Sequence, residues 1–203
     1  DQQVRSPVEF LEVAERTGLI QGIDRLMLRQ AVGTLADNPQ MPHVGVNISA
    51  ATLGAGALTD WIHGEIDPSG VDPSRLHLEV TETDLFQVTD QVRQAMRDIA
   101  ALGISWWVDD FGTGFSSLSH LRDLPITGLK LDRSFTARLT APDDSSARLA
   151  RGLAGLAEGL DLRTIAEGVE TAEQARILTE QGWQMGQGWL YGKAEPLTDG
   201  AGR

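Results

Sequence analysis

Hydrophobic positions along the 203-residue chain fall into two alternating rhythms. Near the start, Ser6-Pro7-Val8-Glu9 combines an N-cap serine, a proline at the first helical position and a glutamate three residues past the cap, the sequence form of a capping box. It predicts a helix over 7–17, closed by Gly18. Ile23, Leu26, Met27, Gln30 and Ala31 recur at helical spacing and predict a second helix reaching Leu35. From Val44 the rhythm shortens. Apolar runs at 44–48, 76–80, 104–108, 128–132, 162–166 and 184–190 have strand length, and their starts lie roughly 22 to 34 residues apart. That interval holds a strand, a crossover helix and two loops. Helices are predicted over 88–102, 145–160 and 172–181, the last with Thr171 and Gln174 repeating the capping-box pattern. Strand and helix in alternation predict an α/β fold on a parallel sheet.

Composition narrows this picture. No uncharged apolar run approaches the ~18 residues of a membrane span, so a soluble, cytoplasmic domain is expected, with tethering of a longer parent left open. The absence of cysteine excludes disulfide scaffolds, thiolate metal sites and cysteine nucleophiles. With 29 acidic against 17 basic side chains the formal charge is −12, which argues against DNA or RNA binding through a basic surface. The chain starts at Asp1 and ends in the polar stretch 198–203, so it reads as part of a longer protein. Pro142-Asp143 reads as a surface loop.

Polar residues at the strand ends carry the candidate chemistry. The six runs finish on Asn47; Glu79 with Glu82; Asp109 and Asp110; Lys130 and Asp132; Glu167 and Glu170; and Gln187. An open sheet would spread such residues along a line, whereas the C-terminal rim of a (β/α) barrel gathers them around one centre. Carboxylates gathered closely repel one another unless cations lie between them. Oxygen ligands without sulfur suit Mg2+ or Mn2+, and two such ions ~3.5–4 Å apart are the clamp used in phosphodiester hydrolysis. Lys130 would steady the attacking water or the phosphate, and Glu167 would take the proton. Each group also has a plainer reading. Glu79 can be an exposed strand-end acid, Asp109-Asp110 can start a turn, Lys130 can pair with Asp132, and Asn47 can sit beside a helix cap at Ser49. Six strand ends of this kind in sequence favour the shared site. The segment 112–117, Gly-Thr-Gly-Phe-Ser-Ser, lacks the lysine of a phosphate-binding loop and reads as an active-site loop. Ser116 and Ser117 have no evident His/Asp partners. His43, His63, His77 and His120 show no metal-ligand spacing, and Trp106-Trp107 reads as core.

These residues resemble the EAL domain, a family of bacterial phosphodiesterases that open cyclic di-GMP to linear 5'-pGpG. The likeness runs through Ser6-Pro-Val-Glu-Phe-Leu-Glu-Val-Ala-Glu-Arg-Thr-Gly-Leu-Ile20, Val46-Asn-Ile-Ser49, Leu78-Glu-Val-Thr-Glu-Thr83, Asp109-Asp-Phe-Gly-Thr-Gly-Phe-Ser-Ser-Leu118, Leu124-Pro125, Leu129-Lys-Leu-Asp-Arg-Ser-Phe135, Ile165-Ala-Glu-Gly-Val-Glu-Thr171 and Gln187-Gly188. The resemblance implies a modified TIM barrel with one antiparallel strand and a metal-dependent, two-ion hydrolysis. It implies Asn47, Glu79, Asp109 and Asp110 as ligands of Mg2+ or Mn2+, Lys130 holding the catalytic water, Glu167 as general base and Glu82 bracing the loop after the aspartate pair. Asp132, Glu170 and Gln187 would be substrate-binding or supporting positions. A homodimer, and sensory or GGDEF domains elsewhere in the parent, are further implications. The Glu-Ala-Leu triplet that names the family, and the strand before it, are not in the sequence. The expectation is one domain over 1–203, N-terminally incomplete, lacking the first two barrel strands. The alternative is a catalytically inactive cyclic di-GMP receptor or a protein-interaction module.

Overall fold

The computed structural model describes residues 6–114, 118–139, 141 and 144–195. The chain divides into two compact units, one of residues 1–80 with 87–104, the other of residues 81–86 with 105–203.

The first unit opens on a 3-10 turn, Pro7–Glu9, where the Ser6 amide donates to Glu9 Oε1 at 3.2 Å, as the capping box requires. The single helix expected over 7–17 is interrupted at Phe10, and α1 runs Leu11–Thr17, ending on Gly18 in the left-handed region. Helix α2, Ile20–Asp37, buries Ile20, Leu28, Ala31, Val32 and Leu35 along one stripe. Strand β1, Val44–Asn47, leads through the Ser49 cap into α3, Ala50–Gly54. Helix α4, Leu58–Ser69, was not legible as a separate element; Pro68 sits in its last turn and Gly70 closes it. Strand β2, Leu76–Thr81, pairs in parallel with β1, setting Asn47 opposite Glu79, and α5, Asp90–Ala101, follows.

The second unit is built on β3, Ser105–Phe111; α6, Leu118–Asp123; β4, Ile126–Leu131; α7, Arg133–Thr136; α8, Ser145–Gly159; β5, Arg163–Ala166; α9, Ala172–Glu180; and β6, Met185–Gly186. Strands β3 to β6 pair successively, all parallel. Trp106 and Trp107 are both buried, as a strand covered on both faces demands. Gly128, opposite Trp107 in the register, makes this possible: a Cβ there would overlap the indole, and the Arg163 guanidinium lies over the same ring, 4.8 Å from its centroid. Leu131, Ala147, Ala150, Ala154, Ile177 and Trp183 form the core between α8, α9 and the sheet.

The strand expected over 184–190 shortens to two residues. Gly188, with φ near 154°, lies so close to the Val169 backbone that a Cβ would overlap it. Val169 exchanges bonds with Gln187 and Leu190 at 3.0 Å each, so the chain wraps this residue instead of extending a ladder. Pro142-Asp143, residues 115–117 and the stretch 198–203 lie outside the described residues.

Candidate active site

The second unit brings five of the expected residues together, and a break in strand regularity is the cause. Neighbouring side chains on a strand point to opposite faces, so Asp109 and Asp110 could not normally share a site. Here Val108 pairs with Leu129 and Phe111 with Leu131, three steps along β3 against two along β4. The extra residue is a bulge, and Asp110 takes φ 54°, a conformation that aspartate tolerates better than most side chains. Asp109 Oδ1 accepts from the Asp110 amide at 3.0 Å and fixes the kink. One carboxylate oxygen each from Asp109, Asp110 and Glu167 then fall within 4.8 Å of one another.

Lys130, on β4 and buried, stands among them, its Nζ 2.7 Å from Glu167 Oε1 and 3.2 Å from Asp109 Oδ1. The reading in which it pairs only with Asp132 is therefore wrong. Asp132 instead caps α7, accepting from the Ser134 amide at 3.0 Å. Burial opposes ionisation of Asp132, but the hydrogen bonds from Ser134 outweigh it and hold its carboxyl below the usual range. Asp110 is pushed the other way, first by burial and then by the charges of Asp109 and Asp132, with Lys130 offsetting only part. Asp110 and Asp132 share a hydrogen bond, which raises the pKa of Asp110 and lowers that of Asp132.

Glu82, 2% exposed, braces the turn that follows the aspartates: its Oε2 accepts from the Gly112 amide at 2.8 Å and the Gly114 amide at 3.0 Å. Gly112, at φ 99°, packs so tightly that a Cβ would crowd Phe135 and Leu153. Beyond Gly114 the loop 112–117, with Ser116 and Ser117, passes outside the described residues.

In the first unit Asn47 and Glu79 stand side by side at the ends of β1 and β2, and the Ile48 amide donates to the Glu79 carbonyl at 2.8 Å. The Glu79 carboxylate folds back over Gly45, where any Cβ would overlap it. Glu170 and Gln187 are exposed, and their backbone amides donate to Gln174 Oε1 at 2.9 Å and to the Ala166 carbonyl at 2.8 Å, respectively. Gly45, Gly128 and the bulge were missed in the sequence. Only a glycine two residues before Asn47, and one inside an apolar run, could have hinted at them.

This donor set fits a hard divalent cation. Three carboxylates gather beside the Lys130 ammonium, the candidate ligand atoms are all oxygen, and burial together with the charges of Asp109 and Asp132 raises the pKa of Asp110.

The EAL-domain family model matches residues 1–194, and the chain belongs to that family. It is 36% identical over 200 residues to the cyclic di-GMP phosphodiesterase NbdA of Pseudomonas aeruginosa, covering 97% of this chain but 25% of that protein. It is 35% identical over 195 residues to the bifunctional diguanylate cyclase/cyclic di-GMP phosphodiesterase MucR of the same organism, covering 94% of this chain and 28% of MucR. The chain thus spans about a quarter of the length of these curated relatives. Among solved structures, the PaMucR phosphodiesterase in complex with c-di-GMP matches with a TM-score of 0.88 at 36% identity, covering 93% of this chain and 83% of that one. The EAL domain of Mycobacterium smegmatis DcpA matches at 0.79 and 30% identity, covering 86% and 80%. The fold is accordingly the parallel α/β, TIM-barrel-like fold of EAL domains. Among the described residues no helix is long and apolar enough to cross a membrane.

Proposed function

We propose that the chain is the catalytic domain of a metal-dependent phosphodiesterase that hydrolyses cyclic di-GMP to linear 5'-pGpG. The observation that carries this reading is the bulged Asp109-Asp110 pair facing Glu167 across Lys130, with one carboxylate oxygen of each acid within 4.8 Å of the others. Asp109 and Asp110 would hold Mg2+ or Mn2+, and the family resemblance adds Asn47 and Glu79 to the ligand set. Bound there, two such ions supply Lewis acidity, lowering the pKa of water and stabilising charge on the phosphoryl oxygens.

The chain's own groups do the rest. Glu167 takes a proton from the attacking water while the water oxygen bonds to phosphorus and the P–O3' bond breaks; the departing O3' takes a proton from solvent to become a hydroxyl, and the phosphate stays on the 5' side. Lys130, held between Asp109 and Glu167, fixes the Glu167 carboxylate and places its positive charge beside the attacking water and the phosphate. Glu82 keeps the turn at 112–114 closed beneath the aspartates. Asp132 supports Asp110, and Glu170 and Gln187 are exposed positions suited to substrate contacts. The reading extends to one EAL-type domain within a longer, multidomain parent, in keeping with the bifunctional character of MucR, and to a homodimer as its working state.

Full-length protein with Mn2+ or Mg2+ should convert cyclic di-GMP to pGpG, followed by chromatography, and a chelator should stop it. Binding without product at any metal concentration would sink the catalytic reading and favour a receptor.

A further inference from the structure

A second carboxylate in the molecule is built in the opposite way to Asp110. Asp24, in the second turn of α2, is 5% exposed, and its Oδ2 accepts three hydrogen bonds: from the Ser49 amide at 3.0 Å, the Ser49 hydroxyl at 2.6 Å and the Thr52 hydroxyl at 2.6 Å. Thr52 is fully buried. Ser49 spends its one hydroxyl proton on Asp24, so its oxygen is left to accept from the Thr52 amide at 3.3 Å, which is the N-cap of α3. A buried carboxylate is costly for a helix that otherwise packs Leu28, Val32 and Leu35 inward, and only a full set of donors offsets it. Those donors come from one place, the turn that begins two residues after Asn47. On the other side of the turn, the Ile48 amide is held by the Glu79 carbonyl. The backbone that leaves Asn47 is therefore clamped from α2 and from β2.

We infer that Asp24 is a positioning residue for the Asn47 side of the metal site: its buried carboxylate, through Ser49 and Thr52, sets the turn that aims Asn47. This deepens the proposed function and rests on it, because Asn47 is a ligand only in that reading. Groups that orient a ligand from behind affect metal affinity by about 10- to 100-fold when removed.

The test is a calorimetric titration of full-length protein with Mn2+ alone, alongside amide exchange over residues 47–52. Asp24→Ala should weaken Mn2+ binding by about 10-fold or more and speed exchange at Ser49 and Thr52, while Asp24→Asn, which keeps one oxygen acceptor, should recover part of both. Val32→Ala, a buried change on the same helix, should lower stability and leave Mn2+ affinity as it was. Because Asp24 acts through Asn47, adding Asp24→Ala to Asn47→Ala should cost little further affinity. Wild-type Mn2+ affinity in Asp24→Asn despite faster exchange at Ser49, equal losses in Val32→Ala, or full additivity with Asn47→Ala would each overturn the inference. Wild-type protein that binds no Mn2+ would overturn the functional reading itself, and is told apart because every variant would then match it.

Discussion

Asp24 and Asp110 are the same side chain placed in two regions under opposite electrostatics. Asp24 lies deeper, yet three neutral donors converge on a single oxygen, and its charge is answered locally. Asp110 lies at the end of β3 among Asp109, Asp132 and Glu167, beside the Lys130 ammonium. The first arrangement holds a turn and has no need of anything from outside. The second gathers like charges, and in the proposed function a metal ion offsets them. Burial alone therefore does not mark a functional acid; the ratio of donors to carboxylates does.

The comparison can be broken most severely at Glu167. Glu167→Gln should lower kcat by about 10²- to 10⁴-fold and leave cyclic di-GMP binding within a few-fold, measured by turnover and by calorimetry. A parallel loss of binding would show that Glu167 holds substrate and is not the base.

Removing the lysine comes next. Lys130→Met leaves the Asp109 and Glu167 carboxylates facing each other with the bridging ammonium gone, and should destabilise the metal-free protein by about 2–4 kcal/mol in urea unfolding. Added Mn2+ should raise the melting temperature more in this variant than in wild type, because the ion now supplies the missing charge. An equal rise in both would mean that the ion binds elsewhere.

Gly128→Ala tests the support beneath the site. A methyl group there overlaps the Trp107 ring, and overpacking of this kind costs about 1–3 kcal/mol. Metal affinity should change far less than stability, so similar changes in both would tie the tryptophan layer directly to the rim.

The smallest effect is the pH dependence of the metal-free protein. The Asp110 pKa is raised on folding, so the folded state holds its proton more tightly than the unfolded state. Its contribution favours folding at low pH and is lost as pH rises from the ordinary carboxylate range through the raised value. Thermal melts of wild type against Asp110→Asn across this window should show a slope in the former that is shallower in the latter. Mn2+ affinity should rise over the same window, since the ion displaces the proton.

Much of this was legible in the sequence, for reasons that can be named. The six strands and their order follow from apolar runs at crossover spacing, and the caps at Ser6, Ser49 and Thr171 are local chemistry that the structure reproduces. Strand-end polarity picked out Asp109, Asp110, Lys130 and Glu167 before any distance was known. What the pattern could not show is how two adjacent aspartates share a face, because a bulge is a register mismatch between β3 and β4 and leaves no mark in either strand alone. The partner of Lys130 was likewise undetermined, since a strand lysine can reach along its own strand or across to its neighbours. Asp24 carried no signal at all. A polar residue on a helix reads as solvent-facing until the fold brings Ser49 and Thr52 against it.

In the proposed function the bulged Asp109-Asp110 pair receives divalent cations beside Glu167. Crystals of the full-length protein grown with Mn2+ and measured at the manganese absorption edge test it most directly. An anomalous peak bonded to Asp109 and Asp110 is the predicted result; no peak there under conditions that bind cyclic di-GMP, with Lys130 still bridging Asp109 and Glu167, would contradict it.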